Sequence, residues 1–207
     1  MHANHVIALV MAAGRSRRFG GADKRLATLP DGRTLLAATV GRVAEVFSQA
    51  RVVVREDDAP QDLGLSEDTR VIRAPRADEG LGASLADAFA VLGRDARLAD
   101  VEAAAVLLGD MPTIQTATLQ TLQRKAGASW ILRPCHAGRP GHPVFFGRDF
   151  WLELAELHGD EGGRAVIRHH AARCREIEVD DPGIHTDIDR PGDLVLLAAQ
   201  GTVGRPG

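Results

Sequence analysis

Arg15, Arg17, Arg18, Lys24 and Arg25 crowd one short stretch, "LVMAAGRSRRFGGADKRL" (9–26), in which Asp23 is the one acid. They follow an apolar run and share their segment with Gly14, Gly20 and Gly21. Glycine lets a backbone approach a ligand closely and take conformations closed to other residues. A loop that leaves a buried strand points its N–H groups toward the ligand side of an α/β sheet, where anions bind. Together these features suit a polyphosphate, although charge alone leaves a solvated basic turn open. Neither common phosphate-binding spacing fits. A G-x-G-x-x-G beginning at Gly14 would need glycine at Ser16 and Phe19, and the Gly-Lys-Ser/Thr ending of a P-loop is absent.

A nucleoside triphosphate brings a need for a divalent cation, and Mg2+ is usually held by one or two carboxylates with phosphate oxygens and water. Asp110 closes "EAAAVLLGD" (102–110), the most apolar strand pattern in the chain. It would stand beside the basic loop if the two strands are neighbours; a plain strand-ending turn is the alternative. The segment "HTDIDRPGDL" offers Asp187 and Asp189. Asp189 already suits the cap of a following helix, so Asp187 is the expected second ligand with Asp189 in reserve. Asp193 reads as a first-turn acid that complements the helix dipole.

The elements that must position these groups alternate short apolar runs with longer amphipathic ones, the pattern of crossover units and an α/β fold. "HVIALVM" (5–11), "ARVVVRE", "TRVIRAP", "EAAAVLLGD", "WILRPC", "HPVFFGR" and "CREIEVD" read as strands, with "HAGRPG" as a Gly-rich turn. Helices are expected in "TLLAATVGRVAEVF", "ASLADAFAVL", "ATLQTLQRKA" with Thr116 as N-cap, "DFWLELAELH", "GGRAVIRHHA" and "RPGDLVLLAAQ". One domain over residues 1–200 and a flexible tail over 201–207 are expected.

With 44% hydrophobic residues, 26% charged and no tyrosine, the 207-residue chain should bury a mostly aliphatic core. A formal charge of -3 supplies no global field for a nucleic acid or an anionic membrane, so neither is an expected partner. Cys135 and Cys174 match no metal-ligand or CxxC spacing and read as reduced thiols of a cytoplasmic protein. The apolar run near the N-terminus is too short to span a bilayer and lacks the basic start of a signal peptide.

The opening stretch resembles the signature of the sugar- and cofactor-nucleotidyltransferase superfamily, L-A-A-G-x-S-x-R-F/M-G-x-x-K, at Ala12, Ala13, Gly14, Ser16, Arg18, Gly20 and Lys24. The resemblance implies that Ala12, Ala13, Gly14, Arg15 and Ser16 wrap the triphosphate while Arg18 and Lys24 neutralise its charge as catalytic groups. "LLGDMP" is similar to the metal-binding motif of molybdopterin-type nucleotidyltransferases, which implies Asp110 as metal and nucleotide ligand. "DIDRPGDL" resembles D-I-D-T-P-x-D-L, with Arg190 in place of threonine. The run Gly80 to Leu85 resembles G-x-x-x-S-L of molybdenum cofactor cytidylyltransferases and implies nucleotide contacts at Gly82 and Ser84. From residue types alone, that run is a helix start with Ser84 as cap. Guanylyl relatives carry L-A-G-G and a later "PLAG"; Ala13 replaces that glycine and no "PLAG" occurs, so CTP is expected over GTP.

"AGRPGHPVFF" and "LHGDEGGRAVIR" resemble G-x-x-G-H-P-V-x-F and L-x-G-D-x-G-x-R, which implies an acceptor side at Gly141, His142, Pro143, Gly162, Gly163 and Arg164. His142 reads as a metal ligand, an acid/base or a structural His-Pro. Arg164, with the Gly162 and Gly163 backbone at a helix start, would hold an acceptor phosphate. The resemblance as a whole implies a Rossmann-like three-layer nucleotidyltransferase fold with a mostly parallel mixed sheet. It also implies Mg2+, and transfer of a cytidylyl group from CTP to the terminal phosphate of molybdopterin or molybdenum cofactor, with a molybdoenzyme as client. The alternatives are a guanylyltransferase with a molybdopterin or phospholactate acceptor, and a non-catalytic molybdenum cofactor chaperone. A nicotinamide oxidoreductase fits worst, because the glycine spacing is wrong.

Overall fold

The computed structural model describes residues 5–15, 19, 22–188, 190 and 192–194. Every residue of the first strand, β1 (Val6–Met11), is apolar and buried, as a strand covered on both faces must be. Helix α1 (Leu35–Ala44) follows, capped by Thr34, whose hydroxyl accepts from the Ala37 N–H at 3.2 Å. β2 (Ala50–Arg55) pairs parallel with β1, and β3 (Val71–Ala74) pairs parallel with β2. Helix α2 (Leu81–Arg94) then leads to β4 (Ala103–Leu108), which lies parallel on the other side of β1 with Met11 opposite Leu108. The carboxyl ends of β1 and β4 are thus neighbours, the condition that a shared ligand for the basic loop and Asp110 requires.

The second half adds α3 (Thr116–Lys125), β5 (Ile131–His136), β6 (Arg139–Pro140) and β7 (Val144–Gly147). It ends with α4 (Trp151–Ala155), α5 (Arg164–His169) and β8 (Cys174–Glu178). The sheet runs β3-β2-β1-β4-β7-β5-β6, with β8 also paired to β5. β7 and β6 are antiparallel to their neighbours and the other pairings are parallel. Alternation along the strands divides the core. Ile7, Leu9 and Met11 pack with Phe89 and Leu92 of α2, Trp151 and Leu154 of α4, and Val166 of α5. Val6, Ala8 and Val10 pack on the opposite face with Leu36 and Val43 of α1 and Leu119 and Leu122 of α3. Helices on both faces of a mixed, mostly parallel sheet make the Rossmann-like three-layer fold.

Several local readings change. Thr116 is the first residue of α3, and Gln115 is its N-cap because the Asp181 carboxylate takes the Gln115 N–H at 2.9 Å. Gly80 is the N-cap of α2, and Ser84 lies inside the helix with its hydroxyl donating to Gly80 O at 3.1 Å. The turn "HAGRPG" holds a two-residue strand, β6, folded back on β5. "DFWLELAELH" yields only the short α4 after a 3-10 turn, Arg148–Phe150. The expected helix "RPGDLVLLAAQ" falls largely outside the described residues, as does the tail 201–207.

Candidate active site

The loop after β1 is pinned from below. Asp23 caps a 3-10 turn, Lys24–Leu26, by accepting the Arg25 N–H at 3.0 Å. The Arg25 side chain then turns inward, where it is only 5% exposed. It donates to Ala12 O at 2.9 Å and to Asp58 at 2.8 Å, and also meets Asp23. Arg55, at the end of β2, donates to Asp23 at 3.0 Å and Asp58 at 3.2 Å, closing a network of two arginines and two aspartates. This network fixes where the chain re-enters the fold and leaves Lys24 on the cavity side.

The cavity measures about 720 Å3 and is lined by Met11–Arg15, Lys24, the turn 77–81, Ser84, Gly109, Asp110, Asp160 and Asp187, among others. Asp110 is 9% exposed. One of its oxygens accepts from the Lys24 ammonium, and the other, Oδ1, is buried with no hydrogen-bond partner among the described residues. The Ile188 N–H donates to Asp110 O at 3.1 Å, and Ile188 is buried beside Phe19, Leu29 and Leu35. That bond draws the C-terminal segment across the sheet edge, so Asp187 and Asp110 line one cavity.

Arg15 reaches over the cavity to Asp78, and this carboxylate raises the Arg15 pKa above its ordinary value, first by hydrogen bonding and then by charge. Among the described residues, nothing lies within 4 Å of where a Cβ on Gly14 would stand. The described residues leave that space open, and a phosphate could approach the backbone there. Ser16, Arg18, Gly20 and Asp189 lie outside the described residues.

The two segments assigned to different substrates touch each other. Gly82 and Ala83 donate their N–H groups to Gly159 O at 2.8 and 3.3 Å, and Leu81 donates to the Asp160 carboxylate at 3.2 Å. A Cβ on Gly82 would meet His158 O at 2.7 Å. Gly82 therefore serves backbone packing here, whereas Ser84 lines the cavity while holding Gly80 O. Asp160, from the motif L-x-G-D-x-G-x-R, is a lining residue that attention to the glycines and Arg164 passed over.

Of the residues expected on the acceptor side, Gly141, His142, Pro143, Gly162, Gly163 and Arg164, none is among those that line the cavity. Gly141 packs under Ile184 O, and Gly163 sits against the Phe146 ring. Gly162 takes a positive φ of 60° against Leu81. Gly163 is the N-cap of α5, and Arg164 is the first residue of this six-residue helix. His142 carries a buried Nδ1 without a hydrogen-bond partner among the described residues. Burial pushes its pKa below the ordinary histidine value; Asp110 and Asp187 pull upward and Arg164 downward. His142 thus senses the two aspartates and Arg164 together.

A family model described as the MobA-like NTP transferase domain matches residues 8–174. The chain belongs to the MobA-like NTP transferase family. Its reaction class is nucleotidyl transfer from a nucleoside triphosphate. Rv0371c from Mycobacterium tuberculosis H37Rv is similar in structure, with TM-score 0.79 and 30% identity over 95% of this chain and 99% of that one. A structure of Rv0371C in complex with manganese gives TM-score 0.76 and 26% identity over 94% and 98%. A nucleotidyl transferase from Methanothermobacter shares the fold at TM-score 0.76 and 23% identity over 98% and 100%. No curated protein matches the sequence significantly. For a MobA-like transferase, the partners that residue types failed to single out are Asp58, Asp78 and Asp160. Each is an acid whose use depends on a contact distant in sequence. No helix among the described residues is long and apolar enough to cross a membrane.

Proposed function

We propose that this MobA-like transferase moves a cytidylyl group from CTP to the terminal phosphate of a molybdopterin-type acceptor and releases pyrophosphate. The observation that carries the reading is the meeting of the β1 loop, Asp110 and Asp187 in one cavity. Among the described lining residues, Asp78, Glu79, Asp110, Asp160 and Asp187 outnumber Arg15, Lys24 and Arg25. A polyanion enters such a cavity only with added positive charge. The donor set fits that need: Asp110 and Asp187 offer hard oxygens, and Asp110 Oδ1 is buried without a partner. These two residues would hold a divalent ion, Mg2+ by their chemistry, which when bound offsets phosphate charge and helps align the reacting phosphates.

The acceptor phosphate is already ionised and needs no general base. Its oxygen bonds to the α-phosphorus as the bond from that phosphorus to the pyrophosphate oxygen breaks. Gly14 and Arg15 border the phosphate path, and Lys24, released from Asp110, neutralises the departing pyrophosphate together with Arg18. Arg164 supplies the charge for the acceptor, with His142 neutral beside it. Support for cytidine is the resemblance at Gly80–Leu85 and Ala13; support for the acceptor is the family together with the segments around His142 and Arg164.

The test is incubation with Mg2+, each of the four triphosphates in turn and a molybdopterin source, with pyrophosphate detection and product mass. CTP-dependent pyrophosphate and an acceptor heavier by a cytidylyl group are expected. Preference for GTP would move the reading to a guanylyltransferase, and nucleotide binding without pyrophosphate would make the protein a cofactor carrier.

A further inference from the structure

Outside the nucleotide cavity, Glu153, His169 and His170 bring three ligand atoms within 4.8 Å of one another. The Trp151 and Leu154 side chains of α4 are buried, which leaves Glu153 between them turned to the surface. The chain returns at the end of α5 with two consecutive histidines whose rings stack at 4.5 Å, so their nitrogens face the same carboxylate. His169 Nδ1 lies 3.0 Å from Glu153 Oε1, and His170 Nε2 lies 2.6 Å from Oε2. The Phe150 ring packs edge-on against His170 at 4.9 Å and holds its orientation. Neighbouring cations are engaged elsewhere: Arg168 pairs with Glu161, and Arg173 with Asp149.

We propose that Glu153, His169 and His170 form a transition-metal site of zinc type, separate from the oxygen donors of the nucleotide cavity. Two imidazole nitrogens and one carboxylate oxygen are the donors that zinc and its neighbours favour and that magnesium does not. Ligand atoms around a tetrahedral zinc stand about 3.3 Å apart, a spacing the cluster reaches with small side-chain movements. Three protein ligands leave a fourth position for water. The exposed His169 gives an ion direct access from solvent. A metal here joins α4 to the end of α5, the helix that begins with Arg164.

The test is equilibrium dialysis of the untagged full chain with Zn2+ against excess Mg2+, paired with Co2+ absorption spectroscopy as a reading of coordination geometry. Wild type and Asp110→Asn should each bind one Zn2+ and show the intense visible bands of tetrahedral cobalt. His170→Ala should weaken binding by at least ~10²-fold. Glu153→Gln, which keeps shape and folding, should lose the tetrahedral bands. Zinc binding unchanged in both His170→Ala and Glu153→Gln would overturn the proposal. So would zinc binding lost in Asp110→Asn, or none in wild type, the last reducing the cluster to an ion pair.

Discussion

Replacing Asp110 with asparagine separates what this carboxylate does for the fold from what it does for the reaction. One oxygen meets Lys24, and Oδ1 is buried without a partner. An unmet buried polar atom costs about 1–3 kcal/mol. The Lys24 pair, whose side chains are 19% and 13% exposed, is too buried for the value of a surface pair, and its attraction offsets part of that cost against the desolvation of both charges. Asparagine keeps an oxygen for Lys24 and removes the charge that burial penalises. The unfolding free energy should therefore stay within about 1 kcal/mol of wild type or rise, which is about 2–4 °C in Tm for a chain of this length. Turnover should behave oppositely. Losing one preorganised charge at the reacting phosphates lowers the rate by about 10²–10³-fold. Pyrophosphate release at saturating CTP, acceptor and Mg2+ measures the second effect, and thermal unfolding without metal measures the first. Release near the wild-type rate would refute the role of Asp110 in the reaction. A loss of Tm beyond about 8 °C would show instead that the carboxylate is held for the fold.

Arg25→Met should cost about 3–5 kcal/mol in urea unfolding, since Asp23 and Asp58 would lose their buried partner; an unchanged midpoint would contradict the network. Gly82→Ala should cost about 1–3 kcal/mol by driving a Cβ into the 158–159 backbone, again read from the urea midpoint. His142 binds its proton less readily folded than unfolded, so the unfolded state gains a proton first as pH falls. Stability should thus decline below about pH 6.5, the ordinary histidine value. His142→Gln should flatten that decline in a pH series of unfolding curves.

What was legible in the sequence follows from how local its physics is. β1 and β4 could be read because strands covered on both faces are apolar at nearly every position, and Asp110 stood out as the first charge after one of them, although β4 stops at Leu108 and Asp110 stands in the turn that follows. Elements whose form depends on distant partners could not. Gln115, an unremarkable cap by type, takes that place because Asp181 supplies the carboxylate, and β6 exists only against β5. The seam between 80–82 and 158–160 is tertiary, and so is the cluster of Glu153 with His169 and His170. The basic loop shows the limit most clearly. Its cations suggested a ready-made polyphosphate cradle, but charge density along a chain is not charge available to a ligand. Among the described residues of that loop, Arg25 is committed to Asp23 and Asp58, Arg15 meets Asp78, and Lys24 meets Asp110. An incoming triphosphate must compete with Asp78 for Arg15 and with Asp110 for Lys24. A divalent ion held by Asp110, as proposed, would resolve the second competition, because it would take the carboxylate that otherwise holds the lysine. Nucleotide affinity and metal concentration should accordingly rise together, and Asp110→Asn should weaken that coupling even where CTP still binds.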